Sequence, residues 1–314
     1  MAAYIVRRLA SSIIVLFIVT FIAFMLIQLV PADPVITMLG TRATEEAITK
    51  LRAEYWLDRP LHVQYLHWLG NVIRGDFGTS VIYREDVTEL MTTRLPVTLY
   101  LSALALALSV LLGIPAGIIS AVRRGGVLDQ AITTFANLGV ATPVFWLGIL
   151  GIYFFGLELR WLPTFGYTSP SVDFLASLKH AAMPVACLAV EPLAIVARQT
   201  RSSMLEVTRQ DYIRTAWSKG LSERVVVMRH ALKNGLIPVV TLLPVELRML
   251  IGGSVLVETV FSIPGMGRLL VRSVFDKDFF VVQAVIMMVA VLVAVANLVV
   301  DISYAWLDPR IRYD

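Results

Sequence analysis

Residues 202–238 read SSMLEVTRQDYIRTAWSKGLSERVVVMRHALKNGLIP, a basic and amphipathic segment between two long apolar runs. Ser203 and Glu206 fit a capping box, which predicts that a helix begins here. Gly220 suits a helix end in the left-handed conformation, and Ser222 suits the start of a second helix leading to Pro238. The segment is therefore predicted to be two short helices separated by a glycine.

The runs on either side of this segment, and four others, have the length of membrane helices. The chain of 314 residues is 57% hydrophobic and only 16% charged, against roughly 25% charged for a soluble domain. Crossing a membrane takes about 20 apolar residues. Six runs meet or approach this length: 9–32, 95–122, 130–157, 180–197, 234–259 and 279–300. The sequence thus predicts an all-α membrane protein with six transmembrane helices.

Basic residues indicate the orientation of the chain. Arginine pairs precede the first run, follow the second and end the chain, and the segment 198–233 follows the fourth run. All these sites lie on one side if both termini are cytoplasmic, as the positive-inside rule requires. The placement of the net charge of +4 therefore indicates a membrane orientation rather than nucleic acid. A cleaved signal peptide is an alternative for the first run, which is longer than a typical apolar h-region of about 7–15 residues.

The one large external segment lies between the first and second runs. Thr44 is a candidate helix cap, residues 61–73 have helical periodicity, and the glycines of 74–80 predict a tight turn. Its aromatic residues predict a small core or an interfacial belt. We divide the chain into residues 1–32 (cytoplasmic N-terminus and first helix), 33–94 (extracytoplasmic subdomain), 95–306 (membrane core with helices two to six) and 307–314 (cytoplasmic tail).

Small residues and prolines modify the second and third runs. Gly113 and Gly117 are four apart, a spacing that lets helices approach closely in a membrane. Pro115 and Pro143 are predicted to kink their helices, and neighbouring helices can satisfy the carbonyls that are freed. Cys187 is the only cysteine, and a small buried side chain is its expected role.

The fifth run carries Glu246 and Arg248 near its middle. A charge at the bilayer centre costs about 2.5–3.5 kcal/mol on insertion scales, so each side chain should face a polar cavity or a partner. The two lie on different helix faces and cannot pair with each other. Glu191 in the fourth run is a candidate partner of Arg248. An interhelical ion pair and a role in a polar pathway both remain open.

An apolar stripe is predicted to face the cytoplasm in the basic segment. Tyr212, Ile213, Ala216 and Trp217 fall along one side of a helix. Because this helix lies outside the membrane, a protein surface or lipid headgroups should cover it. A membrane-surface helix and a positive-inside anchor are the alternatives to a protein contact.

Several motifs resemble one family of transport proteins. They are Asp211-Tyr212-Ile213-Arg214-Thr215-Ala216, Lys219-Gly220-Leu221, Arg229-His230-Ala231-Leu232, Val257-Glu258-Thr259-Val260-Phe261, Pro264-Gly265-Met266-Gly267, Leu307-Asp308-Pro309-Arg310-Ile311-Arg312, and upstream Leu57-Asp58-Arg59-Pro60, Arg74-Gly75-Asp76-Phe77-Gly78 and Arg94-Leu95-Pro96. Together they resemble permease subunits of the binding-protein-dependent ABC importers for dipeptides and oligopeptides, of the type with a long loop after the first span.

The resemblance implies a type I ABC importer permease in a bacterial or archaeal plasma membrane, working by alternating access. It implies these partners: a second homologous permease subunit, two ATPase subunits, an extracytoplasmic peptide-binding protein, the peptide substrate and the lipid bilayer. No cofactor would be bound by this chain, and ATP and Mg would act at the ATPase subunits. The segment of about 202–236 would couple to the ATPase.

The resemblance implies the coupling residues, whereas the candidate pathway rests on the intramembrane charges, because peptide termini are charged and would need counter-charges in a wet cavity. ATPase coupling is expected of Tyr212, Ile213, Arg214, Thr215, Ala216, Trp217, Lys219, Gly220 and Leu221. The candidate translocation pathway comprises Glu191, Glu246 and Arg248, and the candidate docking turn for the binding protein comprises Asp76, Phe77 and Gly78. The chain departs from the general importer pattern Glu-Ala-Ala: Arg214 stands at its acidic position, and Lys233 replaces a later proline.

Two other classes of function are considered. An enzyme or ATPase is not indicated, because the sequence contains no GxxxxGK[ST] loop, no HExxH and no evident Ser, His and Asp grouping. An ion-coupled secondary transporter working alone is the main alternative, with the intramembrane Glu and Arg residues as its relay.

Overall fold

The computed structural model describes residues 2–28, 34–39 and 44–307. These residues form helices, with one isolated bridge between Thr79 and Asp86. The helices are α1 Ala2–Gln28, α2 Pro34–Leu39, α3 Glu45–Glu54, α4 Leu61–Ile73, α5 Val87–Val122, α6 Val127–Ala141, α7 Val144–Gly151, α8 Phe174–Val207, α9 Asp211–Ser218, α10 Glu223–Val225, α11 Leu232–Gly235, α12 Ile237–Val260, α13 Met266–Phe275 and α14 Phe279–Leu307. π-Helical turns continue α7 over Ile152–Glu158 and join α10 to α11 over Val226–Ala231. The all-helical prediction is confirmed; the tail 308–314, with most of the terminal motif, lies outside the described residues.

Four of the described helices are long and apolar enough to cross a membrane: α5, α8, α12 and α14. The pair α6 and α7 makes a fifth if it counts as one broken span. The predicted first span coincides with α1, in which Ala10–Met25 is a shorter apolar stretch, and residues 29–33 lie outside the described part. The structure thus confirms a helical membrane protein and supports four or five of the six predicted spans.

The predicted capping box at the start of the basic segment is wrong. α8 continues unbroken through Ser203 and Glu206 and ends only at Val207. Ser203 is buried and accepts a hydrogen bond from Gln199, one turn earlier in the same helix. Two polar residues three apart inside a helix have the same spacing as a capping pair. Here the packing of α8 determines that the helix continues past them. The first helix of the basic segment therefore begins at Asp211.

Pro143 breaks the third predicted span rather than kinking it. α6 ends at Ala141, Thr142 and Pro143 are extended, and α7 starts at an angle of 101° to α6. A residue before proline avoids the helical region, which explains why the break falls at Thr142. Pro115, by contrast, lies inside the unbroken α5.

Gly113 and Gly117 allow close contact between α5 and α8, as their spacing predicts. A Cβ at Gly117 would lie 2.5 Å from the Ala197 carbonyl oxygen and 2.5 Å from Thr200 Cβ. A Cβ at Gly113 would lie 2.9 Å from a methyl group of Val196. Real Cβ atoms do not approach other atoms this closely, so the contact requires glycine at both positions.

The chain divides into two compact units. Among the described residues, one comprises Leu99–Ile263 with 296–307, and the other comprises those of Ala2–Thr98 with Pro264–Val295. This division follows packing, whereas the predicted boundaries at 33–94 and 95–306 follow the membrane. Those boundaries stay a prediction.

The second unit contains most of the predicted external segment. Thr44 caps α3 by accepting a hydrogen bond from the Ala47 amide at 3.3 Å, and α4 has the predicted bounds. Tyr65 is buried among aromatic side chains of α1, where its hydroxyl lies 2.9 Å from Thr20 Oγ1. Asp278, also buried, accepts hydrogen bonds from Ser80 Oγ and the Ile82 amide. This unit has its own core, as the aromatic content predicts.

Candidate functional site

A cavity of about 330 Å³ lies at the break between α6 and α7. Its walls come from these two helices together with α8 and α12, all within the first compact unit. Thr142 and Pro143, the residues of the break, line it directly. Non-helical backbone at membrane depth is tolerated only where it is buried in protein or lines a water-filled cavity. The cavity therefore accounts for a break that lipid contact would not allow.

Two carboxylates line this cavity. Glu191 projects from α8 and is exposed, whereas Glu246 on α12 is buried, with 5% of its surface exposed. Neither forms a hydrogen bond or an ion pair with any residue that the structure describes. The structure thus brings together two of the three residues predicted for a polar pathway.

Arg248 does not line the cavity. Its guanidinium Nη1 donates a hydrogen bond to Asn297 Oδ1 on α14 at 3.0 Å. The predicted pairing of Arg248 with Glu191 is therefore wrong. Residues two apart on an α-helix point about 200° from each other, which explains why Glu246 faces the cavity and Arg248 does not.

Cys187 lines the same cavity. It is a buried free thiol on α8, in agreement with the small buried side chain predicted for it. Because it is the only cysteine of the chain, it is a natural chemical probe of this space.

α9 is the helix for which coupling was predicted, and its apolar stripe is divided between two environments. Ile213 and Ala216 are buried and pack with Met204 of α8 and with Val226. Tyr212 and Trp217 are 42% and 48% exposed. The predicted continuous stripe is wrong, because helical periodicity shows which residues share a face but not whether the chain itself covers that face.

The outer surface of α9 combines aromatic and basic groups. Its exposed members are Tyr212, Arg214, Thr215, Trp217, Lys219 and Gly220, while Leu221 is half-buried. Arg214 approaches Asp211 at 3.4 Å, but both side chains stay largely exposed. Ile213 and Ala216 hold the opposite, buried side of α9 against the rest of the chain. The coupling role of all nine residues stays a prediction, and these exposures restrict direct contact to the outer set.

Gly220 ends this region as predicted, with a positive φ of 74°. Its amide donates to the Trp217 carbonyl at 2.9 Å. The next helical segment is tied back to α9, since the Asn234 side-chain amide donates to the Tyr212 hydroxyl at 2.8 Å. Gly235 follows at a site where a Cβ would lie 2.6 Å from Met204 Sδ. α9 is thus connected both to α8 and to the segment that leads into α12.

A further ion pair was missed by the sequence analysis. Arg201 on α8 is paired with Asp129 on α6, which also accepts hydrogen bonds from Ser120 Oγ and the Gly125 amide. Arg201 had been interpreted only as part of the positive-inside charge. The one available signal was an aspartate close to the arginines of a short loop that is predicted to be cytoplasmic.

The turn predicted to dock a binding protein is held by an internal hydrogen bond and by packing on the second unit. Asp76 accepts a hydrogen bond from the Gly78 amide at 2.9 Å, and Gly78 has a φ of 81°. Phe77 packs against the core of the second unit, and a Cβ at Gly78 would lie 3.3 Å from the ring of Phe280. The docking role stays a prediction, and only Asp76 of the three predicted residues is exposed.

Long apolar helices, a broken span beside a cavity with two carboxylates and a short exposed helix between two spans are features of membrane transport proteins. The chain belongs to the family of binding-protein-dependent transport system inner membrane components. The profile of this family matches residues 113–313, and the profile of the N-terminal part of such membrane components matches residues 1–102.

Two relatives match along their whole length. A probable peptide ABC transporter permease protein, y4tP, of Sinorhizobium fredii is 42% identical, and the oligopeptide transport system permease protein AppB of Bacillus subtilis is 41% identical. In both cases 100% of this chain and 100% of the relative are covered. The chain is therefore a permease subunit of an ABC importer rather than a secondary transporter working alone.

Solved structures agree on the fold. An inward-facing structure of the MetNI methionine ABC transporter has a TM-score of 0.59 at 18% identity, covering 70% of this chain and 96% of its own. An amino acid ABC transporter crystallised with histidines has a TM-score of 0.52 at 17% identity, covering 68% and 92%. At these identities the likeness concerns the fold alone.

Proposed function

We propose that this permease carries dipeptides or oligopeptides into the cell across a bacterial or archaeal plasma membrane. Its relatives in Sinorhizobium fredii and Bacillus subtilis are named as peptide or oligopeptide permeases. Identity above 40% along the whole chain supports the same substrate class here. The N and C termini face the cytoplasm in this proposal, following the arginines beside the spans.

The transporter is an assembly of separate subunits. This chain pairs with a second homologous permease, two ATPases bind at the cytoplasmic face, and an extracytoplasmic binding protein delivers the peptide. ATP and Mg act at the ATPases. The outer surface of α9 is the contact with an ATPase, because its exposed Tyr212 and Trp217 suit a groove and its Arg214 and Lys219 suit an acidic rim.

One observation supports this function most directly: α9 is anchored to the helices that form the cavity walls. Ile213 and Ala216 pack on Met204 of α8, and Tyr212 is hydrogen bonded to Asn234, which lies just before α12. α8 and α12 carry Glu191 and Glu246. Closure of the ATPases on ATP would therefore move the cavity walls through packed contacts, which is the physical requirement for alternating access.

Reconstitution tests this proposal. The chain is expressed with a second permease of this family and two ATPases from the same organism, purified through a tag on this chain and placed in liposomes with the binding protein. We expect the ATPases to co-purify and radiolabelled Ala-Ala-Ala to accumulate only with ATP. Uptake by this chain alone, without nucleotide, would refute the proposal and would support a secondary transporter.

A further inference from the structure

We propose that the cavity at the break between α6 and α7 binds the N-terminal ammonium group of the transported peptide, with Glu246 and Glu191 as its counter-charges. The identification of the cation as a peptide terminus rests on the proposed function. The existence of a cation site rests on the cavity itself.

The charge of the cavity lining has one sign. Glu191 and Glu246 are its only ionisable carboxylates, and no lysine, arginine or histidine of the described residues lines it. The C-terminal end of α6 and the N-terminal end of α7 both reach the cavity, and their partial charges have opposite signs. The two helix ends therefore offset each other, and the carboxylates set the potential of the site.

The Glu246 carboxylate is buried without a partner in the described part of the chain, which favours binding of a cation beside it. Glu246 is 95% buried, lines the cavity and has no hydrogen-bond or ion-pair partner among the described residues. Its carboxylate lines the cavity unpaired, and an unpaired charge held largely away from bulk water is unfavourable. Arg248, the nearest basic residue in sequence, is engaged with Asn297 elsewhere. A cation that enters the cavity would supply the missing partner.

The dimensions of the cavity favour one end of a peptide rather than a whole oligopeptide. Its volume of about 330 Å³ lies at the lower end of small-ligand pockets, roughly 300–1,000 Å³. Every unblocked peptide carries an α-ammonium group, which has an ordinary pKa of about 7.7–8.0 and is largely charged at neutral pH. A site for this group recognises peptides whatever their side chains. A lysine ammonium has the same chemistry, so the test separates the two sources.

The single cysteine gives a direct test on the purified assembly. Cys187 is labelled with a cationic and an anionic methanethiosulfonate reagent, and each rate is divided by the rate for a free thiol. We expect the cationic reagent to react at least fivefold faster after this correction, and Glu246→Gln to remove most of the preference. Cys187→Ser measures background labelling. Met249→Cys in the Cys187→Ser background adds a more exposed probe on the α12 wall of the same cavity.

Protection by peptides identifies the bound group. Ala-Ala-Ala amide should slow the labelling several-fold, whereas N-acetyl-Ala-Ala-Ala amide and N-acetyl-Ala-Ala-Ala should not. Protection by N-acetyl-lysine amide equal to that by Ala-Ala-Ala amide would overturn the assignment to the α-ammonium. Equal labelling by both reagents at both probe positions, or uptake of Ala-Ala-Ala at the wild-type rate by the Glu191→Gln and Glu246→Gln double variant, would overturn the cation site. If the wild type shows no ATP-driven uptake but its labelling is still charge-selective, the proposed function is refuted and the cation site is not.

Discussion

Arg201 on α8 donates two parallel hydrogen bonds to the carboxylate of Asp129 on α6, from Nε to Oδ1 at 2.7 Å and from Nη2 to Oδ2 at 2.9 Å. This bidentate geometry is the strong form of an arginine–carboxylate pair. Asp129 is buried and its remaining hydrogen bonds come from Ser120 and Gly125. One carboxylate therefore holds the end of α5, the following turn and α6 against α8.

Removal of this carboxylate should destabilise the permease. Asp129→Asn keeps the shape but leaves the Arg201 charge without its partner, and we expect the free energy of unfolding to fall by about 1–3 kcal/mol. The figure stays below that of a fully buried pair because the Arg201 side chain is 32% exposed. Denaturant unfolding in detergent measures it.

Arg214→Gln is the matched control for Asp129→Asn. It also breaks an arginine–aspartate pair, but one whose side chains are 74% and 96% exposed. Its effect on stability should stay below about 1 kcal/mol. Equal losses in the two variants would contradict the structural role that we assign to Asp129.

The contact between α5 and α8 gives a second prediction. Gly117→Ala places a methyl group 2.5 Å from a backbone oxygen and 2.5 Å from Thr200 Cβ, so the helices must separate. Overpacking of this kind costs about 1–3 kcal/mol. Gly70→Ala is the control, because no atom lies within 4 Å of its added Cβ in α4. Thermal unfolding of the purified protein should show a lower midpoint for Gly117→Ala and an equal or higher midpoint for Gly70→Ala.

Features that depend on local chemistry or on length were accessible from the sequence. The helix cap at Thr44, the left-handed glycine at 220, the helix start at Ser222 and the glycine spacing at 113 and 117 all follow from residue type and spacing. Each of these features depends on a few neighbouring residues. The family resemblance was likewise carried by short contiguous motifs.

Features that depend on tertiary packing could not be predicted from the sequence. Ile213 and Trp217 belong to the same predicted stripe, yet only Ile213 is covered by the chain itself. The convergence of Glu191 and Glu246 joins residues of two helices distant in sequence. Arg248 was assigned the wrong partner because a charge in a helix indicates that it has a partner without identifying which one.

Gly220 provides a prediction about coupling to the ATPase. Its φ of 74° is unfavourable for a β-branched residue by about 1–2 kcal/mol, while asparagine adopts it more readily. No atom lies within 4 Å of the added Cβ, so the backbone and not a clash decides the outcome. Gly220→Val should reduce ATPase co-purification and ATP-driven uptake several-fold, and Gly220→Asn should stay near wild type.

Gly75 separates this effect from general instability. It has a φ of 86° and equally open surroundings, but lies in the segment predicted to be external. Gly75→Val should therefore show comparable strain with normal retention of the ATPases. A similar loss of ATPases in Gly75→Val would mean that Gly220 has no specific role in coupling.

The hydrogen bond from Asn234 to Tyr212, at 2.8 Å, is expected to help transmit movement of α9 to α12. Tyr212→Phe keeps the exposed aromatic ring and removes only the hydroxyl. Such a bond contributes about 0.5–1.5 kcal/mol, which corresponds to roughly a two- to tenfold effect on the coupled step. We expect the amount of peptide transported per ATP hydrolysed to decrease by a factor within this range.

Asn234→Ala should cause a similar decrease, and the double variant should be no worse than either single variant, because all three lack the same hydrogen bond. Ser218→Ala also removes an exposed hydroxyl from α9, but one that bonds only within that helix, and it should leave the ratio unchanged. Additive losses from Tyr212→Phe and Asn234→Ala would show that the two side chains act separately and that movement reaches α12 through the packing of Ile213 and Ala216 instead.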